Sequence, residues 1–307
     1  MLTVQSITKL DELHSTVLTI GTFDGVHVGH REILHRLIKN ATELGLKSTV
    51  LTFFPHPRMV LQKDSDIKLL NTINEKAKIL DQLGIDCLII HPFTKAFSRM
   101  TATEFVRDNL VNKLKMKKII IGYDHRFGRN RNANINDLRA FGSTFDFAVE
   151  EISAQEIDNV SVSSTKIRKA LEEGDVQVAN KYLGYAYMLT GTIIKGKGLG
   201  KKIGFPTANL HIAETYKLVP KNGVYVVRTK LNGKIVSGMM NIGLNPTVTD
   251  DMNRSIEVNF FDFEADLYDQ EIQIDMLHRL RDEQKFESVE ALRQQLIKDK
   301  ENSLKFI

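Results

Sequence analysis

Several features that would assign this 307-residue sequence to a specialised class are missing from it. A single cysteine, Cys87, excludes an intramolecular disulfide and a zinc site built from several thiolates. No apolar run approaches the roughly 18 to 20 residues of a membrane span, and the first residues lack the basic start and apolar stretch of a signal peptide. With six prolines and no low-complexity tract, long disordered segments are not expected. We expect a protein of the reducing cytoplasm, with no membrane association.

The sequence also lacks a large excess of either basic or acidic residues. The 42 basic and 38 acidic residues leave a net charge of +4, which suits anionic ligands but falls short of the concentrated basic surface of a nucleic-acid-binding protein. Basic residues are not interleaved with aromatic residues in the way that single-stranded nucleic acids require. We therefore expect no nucleic-acid partner, and the sequence leaves the oligomeric state open.

The pattern of apolar residues changes near residue 184, and the length suits about two domains. Before this point, strand-like runs alternate with amphipathic helical stretches, which predicts an α/β domain with a parallel sheet covered on both faces. After it, short strands separated by turn signals predict a small antiparallel β-barrel followed by one terminal helix. We predict domains at residues 1–183 and 184–307.

The predicted elements of the first domain are strands at 15–20, 47–54, 87–90, 118–121 and 145–152 and helices at 32–44, 74–83 and 103–114. The predicted elements of the second domain are strands at 188–194, 223–229, 234–242, 255–261 and 270–279 and a terminal helix. Ser288 is the predicted N-cap of that helix. Its predicted apolar face consists of Val289, Leu292, Leu296 and Ile297. Since ligands of parallel sheets bind at the carboxyl ends of strands, the residues that follow the strands are candidates for a site.

The segment GTFDGVHVGH at residues 21–30 follows the first predicted strand and precedes the first helix. Its glycines allow a sharp turn and a close approach of the backbone to a ligand. His27 and His30 lie three residues apart at the helix entrance, where free N–H groups and the helix dipole attract phosphate. Two imidazole donors there predict a nucleotide site that stabilises charge developing on a pyrophosphate leaving group. An isolated HxxH pair is more often a cap or a surface feature, and it lacks the HExxH spacing of a zinc site.

A second phosphate-binding pattern is SSTKIR at residues 163–168. The hydroxyls and free amides of Ser163, Ser164 and Thr165 at a helix start suit phosphate oxygens, and Arg168 adds a fixed positive charge one turn further along. Taken alone, the same residues are an ordinary N-terminal cap.

The third pattern, GTIIKGKGLGKKIGFPTAN at residues 191–209, combines glycines with lysines and can surround phosphate with N–H groups and cations. It is not a Walker A loop, and alone it would also fit a solvated basic turn. If the PTAN segment is extended, Thr207 and Asn209 lie on the same side and offer hard oxygens to Mg²⁺. Glu257 lies in the alternating strand SIEVNFFDF, where a solvent-facing glutamate is the ordinary interpretation.

These motifs, together with TFFPHP at 52–57, GYDHRFGRNR at 122–131 and NIGLNPT at 241–247, resemble those of bacterial bifunctional riboflavin kinase/FMN adenylyltransferases (FAD synthetases). HVGH also resembles the HxGH signature of the nucleotidylyltransferase superfamily. The resemblance spans about residues 15 to 300. It implies a Rossmann-like nucleotidylyltransferase domain that transfers AMP from ATP to FMN. It also implies a β-barrel riboflavin kinase domain that phosphorylates riboflavin with ATP, with Mg²⁺ as the cofactor.

The resemblance also implies roles for individual residues. Catalytic roles fall to His27, His30, Arg168 and Glu257, the last as general base. Nucleotide contacts fall to Gly21, Phe23, Asp24, Gly25, Ser163, Ser164, Thr165, Lys195, Gly196, Lys197, Gly200 and Lys201. Flavin contacts fall to His56, Asp124, Arg126, Asn241 and Asn245, and Mg²⁺ contacts to Thr207 and Asn209. The chain departs from the family at His125 and Asn259, where members often carry Phe and His.

Three alternatives stay open at this point. One of the two sites could be inactive, which would leave a monofunctional FAD synthetase or riboflavin kinase, although no key residue is missing from either. The protein could also bind flavin, nucleotide or RNA without catalysis. A class I aminoacyl-tRNA synthetase also uses HxGH, but the sequence contains no KMSKS string.

Overall fold

The computed structural model describes residues 1–9, 15–62, 66–153, 162–196, 198–244 and 254–307. The chain forms two compact units, Met1–Ser163 and Ser164–Ile307, which we call the N-terminal and C-terminal units. This division lies ahead of the 183/184 boundary proposed from the sequence, which stays a prediction. None of the helices in the described ranges is long and apolar enough to cross a lipid bilayer.

A parallel sheet forms the centre of the N-terminal unit. Its strands are β1 Leu2–Val4, β2 Thr16–Ile20, β3 Lys47–Phe53, β4 Cys87–His91, β5 Met116–Gly122 and β6 Ala148–Ile152. They pair in the order β1-β4-β3-β2-β5-β6, and every pairing is parallel. The central strand β2 is buried along its whole length, as a strand covered on both faces should be. The predicted Rossmann-like α/β class is confirmed.

The helices of this unit are α1 Val28–Leu44, α2 Pro57–Leu61, α3 Ile73–Gln82, α4 Ala102–Glu104 with a π-helical continuation at Phe105–Lys113, and α5 Ile135–Phe145. Local signals fix their ends. The side chain of His27 caps the N-terminus of α1, and Gly45 ends it in the left-handed conformation. A reciprocal capping box of Thr72 and Glu75 begins α3.

All five predicted strands of this domain occur, with small differences at their ends. The last of them begins at Ala148 rather than at residue 145, because Phe145 still belongs to α5. The sequence analysis missed α5, although its start carries a capping box of Asn134 and Asp137. It also missed β1, which has only three residues and shows no measurable period.

The C-terminal unit contains the predicted small antiparallel barrel. Its strands are β7 Met188–Ile194, β8 Ala208–His211, β9 Gly223–Leu231, β10 Lys234–Leu244, β11 Arg254–Phe260 and β12 Glu271–Arg281. They close in the order β10-β11-β8-β7-β12-β9, which leaves no exposed sheet edge. Asn232 and Gly233 both have left-handed φ angles, 49° and 79°, as the two-residue turn between β9 and β10 requires.

Two helices precede the barrel and pack on it. They are α6 Ser164–Glu173 and α7 Val176–Leu183. The buried face of α6 consists of Ile167, Ala170 and Leu171. The backbone N–H of Lys221 donates to the carbonyl oxygen of Leu171 at 3.0 Å, and Asn180 Nδ2 donates to the carbonyl oxygen of Met276 at 2.8 Å. The α6–α7 pair is therefore part of the C-terminal unit.

Two further helices are α8 Leu199–Lys202, between β7 and β8, and the terminal α9 Val289–Ser303. The predicted cap of α9 is confirmed, because Ser288 Oγ accepts a hydrogen bond from the backbone of Ala291 at 3.1 Å. Its predicted apolar face is wrong at Val289, which is 65% exposed. The apolar contact with the barrel lies further along the helix, where Leu296 packs against Val224, Met239 and Phe261.

A buried ion pair also attaches α9 to the barrel. The Arg281 guanidinium at the end of β12 donates from two nitrogens to the carboxylate of Asp299, at distances between 2.7 and 3.1 Å. The Asp299 side chain is only 3% exposed. Gln295 Nε2 donates to the same carboxylate at 2.9 Å, so both of its oxygens have partners.

Candidate active sites

The turn between β2 and α1 has a strongly constrained backbone. Phe23, Gly25 and Val26 have φ angles of 45°, 85° and 36°, so three of its residues lie in the left-handed region that few side chains favour. Asp24 is buried within it and accepts a hydrogen bond from the backbone N–H of Leu70 at 2.9 Å. The turn follows the carboxyl end of β2, where the sequence analysis expected a ligand site.

The two histidines of the motif form a stacked pair at the start of α1. Their ring centroids are 3.6 Å apart and their planes differ by 15°, while the Phe23 ring packs edge-on against His30. The backbone N–H of His30 donates to His27 Nδ1 at 3.3 Å. Because Nδ1 accepts this hydrogen bond, the proton of the neutral His27 ring lies on Nε2. His27 can therefore cap the helix and donate a hydrogen bond at the same time.

Burial keeps both imidazoles neutral. Desolvation lowers the pKa of His27 to about 4, although the nearby Asp24 carboxylate opposes this shift. Desolvation also lowers the pKa of His30 well below its usual value, and the charges of His27 and Lys76 lower it further. At neutral pH the pair thus offers hydrogen-bond donors rather than cations to a ligand.

One residue beside the turn was missed by the sequence analysis. Lys76 of α3 is only 4% exposed, and its Nζ donates to the carbonyl oxygen of Thr22 at 2.6 Å. A lysine in an amphipathic helix normally faces water, so the sequence analysis did not single out Lys76. The signal was its spacing: Lys76 lies three and four residues before the buried Ile79 and Leu80, on the same helix face.

Two more predicted segments follow strands adjacent to β2. His56 follows β3 and caps α2, with its Nδ1 accepting from the backbone N–H of Arg58 at 3.2 Å. Asp124 and Arg126 are exposed in the loop after β5. Because β3, β2 and β5 are neighbours in the sheet, these segments and the turn share one sheet edge. Thr52, in the segment that leads to His56, donates from its hydroxyl to the carbonyl oxygen of Thr22 in the turn at 3.3 Å. The common role of the three segments in flavin binding stays a prediction.

His125, one of the departures from the family pattern, is half-buried in that loop, with its Nε2 atom enclosed. Its ring stacks on Phe127, and its Nε2 has no hydrogen-bond partner among the described residues. Desolvation lowers the pKa of His125 to about 4. A neutral imidazole ring thus occupies the position where family members often carry Phe.

The predicted phosphate-binding residues at 163–168 lie at the junction of the two units. Ser163 ends the N-terminal unit, and α6 begins at Ser164 in the C-terminal unit. Thr165 is exposed and Arg168 is half-buried on this helix. The predicted helix start is confirmed, whereas the contribution of these residues to the histidine site stays a prediction.

In the barrel, three predicted side chains lie across adjacent strands. Asn241 of β10 pairs with Glu257 of β11, and Glu257 pairs with Asn209 of β8. Directly paired residues of antiparallel strands point to the same face. The Thr207 hydroxyl donates to Glu257 Oε2 at 3.1 Å. The structure therefore brings the carboxylate of Glu257 together with both predicted metal ligands. Thr207 precedes Glu257 by 50 residues in the chain.

The glycine–lysine loop lies against this cluster. A Cβ added to Gly196 would collide with the side-chain amide of Asn209, so the loop passes the cluster at close range. A Cβ on Gly200 would collide with the carbonyl oxygen of Phe205. Lys195 and Lys201 are exposed, as mobile phosphate ligands should be. The predicted sites at Lys197 and Asn245 lie outside the described residues.

The cluster suits a magnesium ion that a nucleotide also holds. Hydroxyl, amide and carboxylate oxygens from Thr207, Asn209 and Glu257 are hard ligands, and Mg²⁺ commonly takes only one or two protein ligands beside phosphates. The described residues contain no group of three or more His, Cys, Asp or Glu side chains that could hold a metal alone. Asn259, the second departure from the family, donates from Nδ2 to the carbonyl oxygen of Pro206 at 2.8 Å and so holds the PTAN segment.

Fold and site geometry together define a class. The N-terminal unit is a nucleotidylyltransferase-like α/β domain with its histidine pair at the first strand–helix turn. The C-terminal unit is a closed barrel in which the glycine–lysine loop lies beside the cluster that contains the Glu257 carboxylate. Two family models match the chain: FAD synthetase over residues 9–166 and riboflavin kinase over residues 183–307.

Relatives that align with nearly the whole chain share one name, which covers both activities. The curated bifunctional riboflavin kinase/FMN adenylyltransferase of Listeria monocytogenes is 38% identical over 291 residues, covering 94% of this chain and 92% of the relative. The proteins of the same name from Haemophilus influenzae and Escherichia coli are 37% and 34% identical, covering 96% and 94% of this chain and 95% and 92% of their own. The chain belongs to the bifunctional riboflavin kinase/FMN adenylyltransferase family.

A solved structure shares the whole architecture. The crystal structure described as a macrolide-efflux protein from Streptococcus pneumoniae matches with a TM-score of 0.89 at 30% identity, covering 100% of this chain and 99% of that chain. The efflux description applies to that protein, while the match supports the two-unit fold of this one.

Proposed function

We propose that the chain makes FAD from riboflavin in two ATP-dependent steps, one in each unit. The C-terminal barrel phosphorylates riboflavin to FMN, and the N-terminal unit transfers AMP from ATP to FMN and releases pyrophosphate. Family membership supports both reactions. The observation that carries the assignment of sites is that each unit has its own cluster. The N-terminal unit has a pair of neutral imidazoles at the start of α1, and the barrel has a separate cluster of carboxylate, hydroxyl and amide groups.

In the adenylyl transfer, a phosphate oxygen of FMN attacks the α-phosphorus of ATP, and the bond to the pyrophosphate oxygen breaks. The attacking phosphate is already an anion, so this step needs no general base. Catalysis is positioning and charge stabilisation. His27 Nε2 and the amides of the turn donate to phosphate oxygens as charge develops on them. Ser163, Ser164, Thr165 and Arg168 supply further donors in this proposal.

In the kinase reaction, the ribityl 5′-hydroxyl of riboflavin attacks the γ-phosphorus of ATP, and ADP leaves. Glu257 accepts the hydroxyl proton as general base. Its hydrogen bond with Thr207 fixes the carboxylate before the substrate arrives. Thr207 and Asn209 would hold Mg²⁺, which when bound neutralises charge on the phosphates. Lys195, Lys197 and Lys201, with the backbone of Gly196 and Gly200, contact the phosphates.

The flavin contacts complete the proposal. His56, Asp124 and Arg126 bind FMN in the N-terminal unit, because the segments that hold them follow strands next to β2. Asn241, which is paired with Glu257, and Asn245 bind riboflavin in the barrel. The substrates are therefore riboflavin, FMN and ATP.

Two single variants test the division of labour. The purified protein is incubated with Mg²⁺ and ATP, together with either riboflavin or FMN, and FMN and FAD are separated by chromatography. We expect His27→Ala to accumulate FMN and to lower FAD formation by about 10²–10³-fold, the usual cost of losing one such donor. Glu257→Gln should make no FMN from riboflavin but should still convert supplied FMN to FAD.

Each variant is the control for the other, because each should retain one activity. FMN formation at the wild-type rate by Glu257→Gln would remove the barrel assignment. Unchanged FAD formation by His27→Ala would remove the assignment of the turn. A wild-type protein that performs only one of the two reactions would instead support a monofunctional enzyme.

A further inference from the structure

Helix α3 holds the nucleotide turn through a buried ammonium group. Lys76 Nζ donates to the carbonyl oxygen of Thr22 at 2.6 Å, and Thr22 lies between Gly21 and Phe23 in the middle of the turn. The Thr52 hydroxyl donates to the same oxygen at 3.3 Å. This carbonyl is therefore fixed from the neighbouring strand β3 and from α3, and its orientation sets that of the peptide N–H groups that follow it.

The same region of the chain contacts the turn a second time. The backbone N–H of Leu70, in the segment leading to α3, donates to Asp24 Oδ1 at 2.9 Å. Both charged residues are buried, with Asp24 at 2% and Lys76 at 4% exposure. A buried ammonium is costly unless an opposite charge compensates it. The Asp24 carboxylate does so, and it partly opposes the desolvation that lowers the pKa of Lys76 to about 8.

Burying a lysine at this position costs more free energy than burying an apolar side chain of similar volume. Replacing buried ion pairs by packed apolar residues is often neutral or stabilising, so stability alone gives little reason for a lysine here. The ammonium also acts on the histidine pair, since its positive charge contributes to the lowered pKa of His30. Lys76 thus affects the two parts of the site that are proposed to bind phosphate, the turn and the imidazoles.

We propose that Lys76 is a positioning residue for adenylyl transfer. It holds the Thr22 carbonyl so that the turn presents its N–H groups to ATP, and it places an ammonium group near His30. The inference rests on the proposed role of the turn in binding ATP. It assigns no contact between Lys76 and the substrate, because the side chain is enclosed by the turn and α3.

Lys76→Met tests the inference, and Lys78→Met is its matched control. Lys78 lies two residues further along α3 and is exposed, so its replacement should leave both activities at the wild-type level. Lys76→Met should lower kcat/KM for ATP in FAD formation by about 10- to 100-fold, the cost expected from a small misplacement of binding groups. The KM for ATP should rise, while the KM for FMN and the riboflavin kinase activity stay unchanged.

The pattern of kinetic constants separates positioning from loss of folded protein. Partial unfolding would lower the apparent kcat and leave both KM values unchanged, and that result would overturn the inference. So would a KM for ATP equal to that of the wild type. Lys76→Arg keeps the charge and a donor, and we expect it to lower the KM for ATP again relative to Lys76→Met.

A second measurement does not depend on activity. The imidazole ¹⁵N resonances of His30, assigned by comparison with His30→Gln, are titrated in the wild type and in Lys76→Met. Removal of the ammonium should raise the pKa of His30, and an unchanged titration would contradict the inference. If the wild type made no FAD from FMN, the proposed function would fail, but this titration would still decide the role of Lys76 beside His30.

Discussion

At the scale of single residues, the protonation state of the histidine pair decides what the turn can do. An imidazolium would attract phosphate by its charge, but burial beside a second ring makes that form unfavourable. A neutral ring held by one nitrogen donates from the other without reorganising during the reaction. The hydrogen bond from the His30 backbone to His27 Nδ1 selects this tautomer. The helix cap and the proposed catalytic donor are therefore the same side chain.

This leads to a titration experiment on His27. Because burial lowers the pKa of His27 to about 4, its ring should remain neutral, with the proton on Nε2, throughout the range from pH 5 to 8. Protonation should begin only as the pH falls towards 4. Imidazole ¹⁵N spectra of the protein, assigned with His27→Ala, measure this directly. A midpoint near 6.5 would show that the ring is solvated and that the donor role is wrong.

At the scale of elements, α9 is attached to the barrel by a buried ion pair as well as by apolar contacts. Leu296 supplies one apolar contact, while Asp299 accepts hydrogen bonds from Arg281 and Gln295. Loss of one partner of a buried pair leaves the other charge without compensation. An exposed pair between the same helix and the turn after β11, Lys300 with Asp262 at 3.3 Å, lacks this property because water solvates both groups.

Asp299→Asn and Asp262→Asn should differ sharply in stability. We expect Asp299→Asn to lower the free energy of unfolding by about 3–5 kcal/mol, because it leaves the Arg281 guanidinium unpaired in a buried site. The Asp262 side chain is 87% exposed, so Asp262→Asn should cost at most about 1 kcal/mol. Urea denaturation of both variants measures the difference. Equal midpoints would indicate that α9 is held mainly by its apolar contacts.

Local patterns predicted most of these elements, and tertiary contacts account for what they missed. The buried strands and the cap at Ser288 are local signals, and each occurs as predicted. The short strand β8 depends on its partners β7 and β11, so its four residues show no pattern of their own. The link between Lys76 and Thr22 joins residues 54 apart. The exposure of Val289 does not follow from helical periodicity. The periodicity that places Lys76 on the face of Ile79 and Leu80 does not show that a charged side chain is buried there.

At the scale of the whole molecule, α6 and α7 lie in a stretch that the two family models leave mostly uncovered. The models end at residue 166 and begin at residue 183, while both helices pack on the barrel. Their side chains Leu171, Val176, Ala179 and Leu183 are fully buried. Each large apolar side chain buried in this way contributes about 1.5–3 kcal/mol, so the barrel without these helices should be less stable.

Two fragments test this expectation. A fragment of residues 164–307 should unfold at a higher temperature than a fragment of residues 184–307, because the shorter one exposes the barrel surface that α6 and α7 cover. For a domain approaching 150 residues, a difference of 1 kcal/mol shifts Tm by about 2–4 °C. Circular dichroism melts of the two fragments at equal concentration provide the comparison. Identical Tm values would show that the helices add nothing to the barrel.

The cysteine content has a practical consequence for studying the enzyme. Cys87 is buried in β4, and burial, with the neighbouring Asp86 charge, raises the pKa of its thiol to about 11. Only the thiolate reacts with maleimides and other alkylating reagents, so we expect that these reagents do not modify Cys87 at neutral pH. A cysteine introduced at any exposed site will therefore take a fluorophore or spin label selectively, with the native sequence otherwise intact.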